Sequence, residues 1–477
     1  MPGHAGTVLT VDLGTSATKG ALWRGGDLVA IARAPIETRH PRPGWAEQDP
    51  ESWWTSTVDV CHELRAVAPG DWGTVTTIGF SAARETFALV DAGLAPLGAG
   101  ILWSDRRAAD DELGDAADIR ARTGVVLNGA AHAAKLAWVA REQHDTLRRA
   151  RWILQPRDLV AARLTGVVTT DWTLASRTGL CALDGSWLET AGAEYGDRLP
   201  PIVPSATVVG TLTADAAATL ALPRPTAVVA GAGDRACEVL GTGARPSTPM
   251  VSWGTTANVS VPHAGPAADL PGVAATSRGA LGGFVVEAGV SAAGAALAWL
   301  STLTGVLHDD LLGAAATVEP GAGGLLALPW LSGARGPWWR AGTHAALVGL
   351  TEAHGPPALA RAVVEGIALD VARCVELVAP GAQRLALAGA GAGHDLWREI
   401  LGGVTGAPLV RRALPDAASV GARLVVAAAL GEAVELEELN PVVAVESPDP
   451  ALVAAYRPVR AASDRAATAV LDLPAGV

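Results

Sequence analysis

Two short segments, each a glycine followed by two residues with hydroxyl side chains, could bind a phosphate. Gly14-Thr15-Ser16 follows the apolar, β-branched run 7–11, and Gly254-Thr255-Thr256 follows a similar run at 249–253. Glycine permits close backbone approach, and a turn that presents N–H groups and hydroxyls forms an anion-binding concavity. Asp12 lies two residues before the first turn, where a carboxylate could hold a hydrated Mg²⁺. The two turns predict a clamp around a nucleoside triphosphate.

A second carboxylate that could take part in a reaction is that of Asp234, in the segment Gly231-Ala232-Gly233-Asp234. The segment follows the apolar run 226–230, and its small residues allow a sharp turn into a helix whose N-terminus lies at or near Asp234. A carboxylate there could accept the proton of an attacking hydroxyl, or it could simply cap the helix. The residues alone leave both roles open.

A glycine-rich turn at 389–393 separates a predicted strand at 384–388 from a predicted helix at 395–405. No Gly-Lys-Ser/Thr follows it, so it is not a Walker A loop, and it lacks the full spacing of a dinucleotide fingerprint. An adenine or ribose could lie flat against such a backbone. An ordinary loop of a glycine-rich protein is the alternative.

The tripeptide Arg84-Glu85-Thr86 follows a predicted strand at 76–80. An arginine and a glutamate donate and accept hydrogen bonds in a fixed frame, which suits the recognition of a polyol. A structural ion pair is the alternative.

The elements that must position these residues follow an α/β order. Predicted strands at 76–80 and 226–230 alternate with predicted helices at 133–141 and 159–164. The two hairpin turns at Gly14 and Gly254 lie 240 positions apart, about half of the 477-residue chain. A repeat at that spacing predicts two similar lobes that face each other.

Composition excludes several classes of protein. The chain is 49% hydrophobic and 18% charged, which excludes a disordered protein, and its glycines and prolines show no fibrous period. A net charge of −12 without a basic cluster argues against nucleic-acid and anionic-membrane partners. The four cysteines form no CxxC pair, so they are expected to be buried thiols rather than zinc ligands or disulfides. Without a signal segment or a long apolar run, we expect a cytoplasmic protein.

Together these residues resemble the FGGY carbohydrate kinase family, within the actin, Hsp70 and sugar-kinase superfold. The resemblance runs nearly end to end and is xylulokinase-like overall. It is carried by the first phosphate turn and by the segments 45–54, 101–107, 135–138, 328–337, 349–351 and 360–366. Arg84-Glu85-Thr86 is instead similar to glycerol kinases, since xylulokinases usually carry Met-His after this strand. Ala358 departs from a usually polar position of the second family signature.

The resemblance implies an α/β, two-lobed, ribonuclease H-like fold with a duplicated core and a central cleft. The N-terminal lobe would span 1–243 and the C-terminal lobe 244–477. It implies transfer of the ATP γ-phosphoryl group to a hydroxyl of a ketose or polyol, with a xylulose-like sugar favoured and glycerol or another short polyol as the alternative. A homodimer is left open.

The resemblance also assigns site residues. Asp234 would be the catalytic base, and Asp12 and Asp234 would hold Mg²⁺. The substrate would be bound by Arg84, Glu85, Trp103, Asp105, Asp234 and Arg235. ATP would be bound by Gly14, Thr15, Ser16, Lys19, Gly254, Thr255, Thr256, Gly294, Gly389, Ala390 and Gly391.

Two other classes remain at this point. One is a non-sugar phosphotransferase or ATPase of the same superfold, which the tryptophan-rich first lobe and the signature near Gly349 disfavour. The other is a sugar-binding regulator without catalysis, which the presence of Asp12, Thr15, Asp234 and Thr255 disfavours.

Overall fold

Two seven-stranded sheets, one from each half of the sequence, organise the molecule. The computed structural model describes residues 6–108, 116–222, 225–266, 274–340 and 342–473. Four two-stranded ladders accompany the large sheets in the described parts of the chain.

The first half contains thirteen described strands and ten described α-helices. In chain order the strands are β1 (Thr7–Leu13), β2 (Ala17–Arg24), β3 (Asp27–Pro35), β4 (Glu47–Gln48), β5 (Val75–Ala82), β6 (Ala88–Val90), β7 (Gly100–Ile101), β8 (Trp152–Leu154), β9 (Thr170–Asp171), β10 (Ile202–Val203), β11 (Val208–Thr211), β12 (Ala227–Val229) and β13 (Ala232–Gly233). The helices are α1 (Glu51–Val67), α2 (Pro69–Trp72), α3 (Ala116–Thr123), α4 (His132–Glu142), α5 (His144–Arg149), α6 (Pro156–Thr165), α7 (Trp172–Ala175), α8 (Glu189–Tyr195), α9 (Ala214–Leu220) and α10 (Asp234–Thr242).

The second half follows with nine described strands and seven described α-helices. The strands are β14 (Met250–Trp253), β15 (Ala257–His263), β16 (Ala275–Arg278), β17 (Phe284–Val290), β18 (Leu326–Leu328), β19 (Ala346–Val348), β20 (Leu385–Ala388), β21 (Leu409–Arg412) and β22 (Val442–Glu446). The helices are α11 (Gly294–Thr304), α12 (His308–Ala315), α13 (Pro356–Val378), α14 (Asp395–Thr405), α15 (Ala417–Leu430), α16 (Leu436–Leu439) and α17 (Pro450–Leu471).

The two large sheets repeat one topology. The first has the order β11-β12-β5-β1-β2-β3, with β13 also paired to β5, and the second has the order β16-β17-β15-β14-β20-β21-β22. In each, an initial strand forms an antiparallel hairpin with the next strand and a parallel pair with a later one: β1 with β2 and β5, and β14 with β15 and β20. The core is therefore duplicated, as the spacing of the two hairpin turns predicts.

Helices α10 and α15 lie between the two sheets. Along β1, Leu9 and Val11 pack in the core that includes α1 and α6, whereas Val8 packs with α10 and α15, because strand residues alternate between faces. On the second sheet, Met250 and Val285 pack against the same two helices. The helices touch at glycines: a Cβ on Gly421 would lie 1.9 Å from a backbone oxygen of α10.

The predicted hairpins, alternating elements and helix start at Asp234 are confirmed. The four cysteines are free and buried in the structure, as expected. Among the described residues, no helix combines the length and apolarity that crossing a bilayer requires.

Candidate active site

The first phosphate turn lies where three parallel strands end side by side. Asp12 on β1 is in register with Ser81 on β5, and Ser81 is in register with Ala232 on β13. Ligand-binding groups in open α/β sheets occupy this carboxyl edge. The turn closes through the Gly14 N–H, which donates to the Ala17 oxygen at 3.1 Å, and it leaves Ser16 exposed.

Asp12 lies among charged groups from both lobes. Its Oδ1 accepts a 2.8 Å hydrogen bond from Ser81, and its Oδ2 lies 3.5 Å from Nζ of Lys19. The same ammonium lies 3.5 Å from Asp416, which caps helix α15 by accepting from the Ser419 N–H. Lys19 therefore joins the first lobe to the start of a second-lobe helix.

The surroundings of Asp12 favour a cation. The pKa of Asp12 is raised to about 6: burial raises it most, Lys19 and Ser81 lower it, and Asp416 and Asp234 also raise it. The single Lys19 ammonium is shared by the carboxylates of Asp12 and Asp416, so this pair carries excess negative charge. The described residues hold no preassembled cluster of three or more metal-ligating side chains. Mg²⁺ usually takes one or two carboxylates plus phosphate oxygens and waters, so Asp12 and Asp234 fit it.

Asp234 is the first residue of helix α10, and Gly233 is the N-cap. The Gly233 N–H is held by the Thr173 hydroxyl at 2.7 Å. Oδ1 of Asp234 accepts from the Arg235 N–H at 2.6 Å and lies 3.2 Å from Nε of Arg84. Its other oxygen, Oδ2, has no hydrogen bond with any residue in the described ranges, and the side chain is 37% exposed. One oxygen thus orients the carboxylate and the other faces open space.

Arg84 and Glu85 do not pair with each other; each has a different partner. Arg84 binds Asp234 and, through Nη2, Oε2 of Glu287 at 3.1 Å. Glu85 binds Arg177, whose Nη2 lies 2.6 Å from Oε1 of Glu85. Arg177 also reaches Glu287, with Nη1 3.2 Å from Oε1. The result is a chain of alternating charges in which Glu287, from β17 of the second lobe, links two first-lobe arginines.

Glu85 has a left-handed backbone, with φ of +66°, which is uncommon for a non-glycine residue. Two neighbours hold this conformation. The Glu85 N–H donates to Gln155 at 3.1 Å, and its carbonyl accepts from Nζ of Lys135 at 3.2 Å. Burial lowers the pKa of Lys135 to about 8, while Glu85 and Asp105 raise it. Such over-determined strain is typical of functional positions.

Trp103 links the substrate-side loops to the first phosphate turn. Its indole N–H donates to the Thr15 hydroxyl at 2.9 Å, and its backbone N–H donates to the Thr86 hydroxyl at 3.1 Å. The structure therefore brings Trp103, Thr15 and the Arg84-Glu85-Thr86 segment together, as the predicted site requires.

The carboxylate of Asp105 is enclosed by protein groups. Its side chain is fully buried, Oδ2 accepts from the Ala46 N–H at 2.6 Å, and both oxygens bind Arg107. Arg107 in turn stacks on Trp45, with 3.8 Å between its guanidinium carbon and the ring centroid. Every contact of Asp105 among the described residues is internal, so its place differs from that of the other predicted substrate residues.

Arg235 links helix α10 to the second hairpin. Its guanidinium binds Glu238 one turn along, and Oε1 of Glu238 accepts from the Ser252 hydroxyl at 3.0 Å. Burial raises the pKa of Glu238, and Arg235 opposes that rise. Because Ser252 lies on β14, the helix that begins at Asp234 is tied to the strand that leads into Gly254.

The second phosphate turn is supported by helix α11. The N–H groups of Ala293 and Ala295 donate to the Thr255 oxygen, and the Gly294 N–H donates to the Gly254 oxygen, at 3.0 to 3.1 Å. Gly254 and Thr255 remain exposed. Gly294 is required by packing, since a Cβ there would lie 2.9 Å from the Gly254 oxygen.

The glycine-rich turn at 389–393 packs directly on the second hairpin. Gly389 has φ of +81°, and a Cβ there would lie 2.5 Å from the Trp253 oxygen. A Cβ on Gly391 would lie 3.0 Å from the indole of Trp253. These contacts bring Gly389, Ala390 and Gly391 beside Gly254, at the adjacent ends of the parallel strands β14 and β20.

Three charged residues of the site were missed by sequence reasoning: Arg177, Glu287 and Asp416. Glu287 gave a usable signal, since it is the one charged residue in the otherwise apolar strand Phe284–Val290. Its neighbours Val286 and Ala288 face the core, so alternation turns Glu287 towards the cleft. Asp416 precedes an apolar helix as a typical N-cap, which gives no sign of its link to Lys19.

Comparisons with known proteins agree with this architecture. The model of the FGGY family of carbohydrate kinases, N-terminal domain, matches residues 7–241, and that of its C-terminal domain matches residues 250–430. The xylulose kinase of Klebsiella pneumoniae is 30% identical over 475 residues, covering 94% of this chain and 96% of that protein. The glycerol kinase of Gloeobacter violaceus is 31% identical over 459 residues, covering 90% and 88%.

The crystal structure of the xylulose kinase from Rhodospirillum rubrum superposes with a TM-score of 0.86 at 27% identity, covering 97% of this chain and 99% of that one. The two matched domains correspond to the two halves of the chain that form the two large sheets. The chain therefore belongs to the FGGY family of carbohydrate kinases and is a phosphotransferase of that family.

Proposed function

We propose that this kinase transfers the γ-phosphoryl group of ATP to a hydroxyl of a ketose or polyol bound between lobes 1–243 and 244–477, with a xylulose-like ketose favoured. The observation that supports this best is the geometry of Asp234. Its Oδ1 is fixed by Arg84 and the Arg235 N–H, while Oδ2 has no hydrogen bond among the described residues. An oriented carboxylate with a free oxygen suits a general base.

In the proposed mechanism, Oδ2 of Asp234 accepts the proton of the substrate hydroxyl as the hydroxyl oxygen attacks the γ-phosphorus. The bond from the γ-phosphorus to the β,γ-bridging oxygen breaks, and ADP leaves. Arg84 keeps the carboxylate in one orientation at 3.2 Å. The protein otherwise acts by positioning and by electrostatic stabilisation, which carry most of the catalysis of phosphoryl transfer. The Lys19 ammonium and the exposed Ser16 of the first turn can face the negative charge of the phosphates.

Asp12 and Asp234 are proposed to hold Mg²⁺, which would neutralise the negative charge of the phosphates. Gly14, Thr15 and Ser16 would face the transferring phosphate, and Gly254, Thr255 and Thr256 would face it from the second lobe. Gly389, Ala390 and Gly391, with Gly294 behind the second turn, would shape the adenosine site.

Arg84, Glu85 and Trp103 are proposed to contact substrate hydroxyls, with Arg235 bordering them. We assign Asp105 to positioning, because its carboxylate is buried against Arg107 and the Ala46 N–H. It would hold the loop that carries Trp103 rather than touch the substrate.

A second candidate is a short polyol such as glycerol. The Arg84-Glu85-Thr86 segment favours it, and the glycerol kinase relative at 31% identity agrees with it. The xylulose-like reading rests on the segments 328–337 and 349–351 and on the xylulose kinase relatives.

One screen separates these candidates. ADP release is measured with Mg²⁺ and ATP against D-xylulose, other four- to seven-carbon ketoses, polyols, glycerol and aldonates, with a no-acceptor reaction as control. We expect the highest kcat/KM with a ketose. Highest kcat/KM with glycerol would select the short-polyol candidate, and ADP release with none of these acceptors would contradict the proposed function.

A further inference from the structure

Arg335 lies on a second-lobe loop at the boundary between the lobes. The neighbouring Gly336 N–H donates to the Gly289 oxygen at 2.9 Å, so the loop runs beside the end of β17, two residues from Glu287. From the first lobe, Arg106 donates to the oxygen of Ser332 on this loop at 3.0 Å. The loop thus borders the charged chain that Glu287 forms with first-lobe arginines.

The guanidinium of Arg335 differs from the other arginines of this region. Arg84 and Arg177 each bind two carboxylates. Arg335 has no ion pair or hydrogen bond from its side chain to any described residue; it lies over the ring of Trp339, with 5.5 Å between guanidinium carbon and ring centroid. The side chain is half-buried. Five N–H donors are thereby partly removed from water without a protein acceptor, which is unfavourable unless a ligand supplies one.

The charged neighbours of Arg335 belong to the proposed substrate region: Gly336, next to Arg335, is bonded to Gly289 of β17, and Arg177 joins Glu287 of that strand to Glu85. Burial lowers the pKa of Arg335, Glu85 and Glu287 raise it, and Arg177 and Arg84 lower it. An arginine remains protonated despite such a shift, so Arg335 stays a donor. Arg84 and Arg177 are already paired with Asp234, Glu85 and Glu287, so Arg335 is the one of these three arginines that is left to bind a ligand.

Glu85 offers the matching acceptor. Its Oε1 binds Arg177, whereas Oε2 has no hydrogen bond to the rest of the described structure. A hydroxyl both donates and accepts, so it can satisfy a carboxylate oxygen and a guanidinium together. The donor comes from the second lobe and the acceptor from the first.

We propose that Arg335 and Oε2 of Glu85 bind one hydroxyl of the substrate, which makes Arg335 a second-lobe residue that recognises polyhydroxy substrates. This inference rests on the proposed function. It also means that the substrate itself bridges the two lobes, at a point separate from the hydroxyl that faces Asp234.

The test compares Arg335→Met and Arg335→Lys with Arg340→Met, a matched change at an exposed arginine of the same segment. The KM values for D-xylulose, glycerol and ATP, kcat and Tm are measured. We expect Arg335→Met to raise the KM for the better acceptor by about 10-fold or more, as loss of a charged hydrogen bond does, and to leave the KM for ATP within about twofold. Arg335→Lys should recover part of the loss, and Arg340→Met should match the wild type.

An unchanged acceptor KM in Arg335→Met, equal rises in both KM values, or a lower Tm with unchanged kinetics would overturn the inference. If Arg335→Met does not fold, Arg335→Gln is measured with the same criteria. Failure of the proposed function is distinguishable, because the wild type would then phosphorylate none of the acceptors in the screen. A wild type that is active while the Arg335 variants keep its acceptor KM contradicts this inference alone.

Discussion

The carboxylate of Glu287 joins the two lobes through Arg84, with 3.1 Å between Oε2 and Nη2. Its other oxygen lies 3.2 Å from Nη1 of Arg177. Burial raises the pKa of Glu287, but Arg84 and Arg177 outweigh it and hold the pKa at about 2. Glu287 is therefore ionised at every pH where the protein would work, and it fixes the arginine that orients Asp234.

We predict that Glu287→Gln lowers the free energy of unfolding by about 3 to 5 kcal/mol, because it leaves two buried guanidiniums without their shared anion. Urea denaturation measures the change. Glu376→Gln is the control, since Glu376 pairs with Arg460 at the surface and is 59% exposed; its change should stay within about 0.5 kcal/mol. Equal effects of the two substitutions would show that the bridge does not contribute to stability.

Arg84→Ala should raise the KM for the sugar or polyol by a factor of about 10 to 150 and raise the KM for ATP far less. The reason is that Arg84 faces the proposed acceptor site and Asp234, whereas the phosphate turns lie on other segments. Initial rates at varied acceptor and varied ATP measure the split. A fall in Tm with unchanged kinetics would reduce Arg84 to a structural ion pair.

Activity should fall as the pH is lowered through about 6, because the buried Asp12 then takes up a proton and can no longer hold a cation. The folded pKa lies above the ordinary 3.8, so ionised Asp12 opposes folding above pH 6, and this penalty disappears as the pH falls below about 4. The profile of kcat/KM from pH 5 to 9 measures this fall, the acid limb of the profile. Added Mg²⁺ should shift the midpoint of the limb to lower pH.

Asp416→Asn provides the control for that limb. Asp416 raises the pKa of Asp12, so its neutralisation should move the midpoint to lower pH. Ser419 can still be capped by the amide oxygen. A midpoint that stays in place in this variant would mean that a group other than Asp12 governs the limb.

Gly421→Ala should destabilise the protein by about 1 to 3 kcal/mol, since its Cβ would lie 1.9 Å from the backbone oxygen of Cys237 and would push α15 from α10. Thermal unfolding measures the shift. Gly402→Ala in α14 is the control, because its nearest neighbour would lie 3.5 Å away. The closeness of the two helices would be in doubt if both variants melted alike.

The sequence predicts what depends on local pattern. The hairpins at Gly14 and Gly254, the strand before Arg84 and the helix start at Asp234 follow from β-branched runs and small turn residues within about ten positions. The bridge from Arg84 to Glu287 spans 203 positions, so no local pattern could reveal it. The left-handed backbone of Glu85 is equally hidden, because Lys135 and Gln155 impose it from distant elements.

The burial of the Asp105 carboxylate also cannot be predicted from the local sequence. The family resemblance assigns it to substrate binding together with Trp103. The tertiary fold instead places Arg107 against it and stacks that guanidinium on Trp45.

The role of Asp234 as the general base is tested most directly by the turnover of Asp234→Asn with the best acceptor of the screen, measured by ADP release and by detection of the phosphorylated sugar. We predict a kcat about 10² to 10⁴ lower than that of the wild type, the usual cost of a lost general base, with both substrates still bound. A variant that keeps more than about a third of the wild-type kcat would contradict the assignment of Asp234.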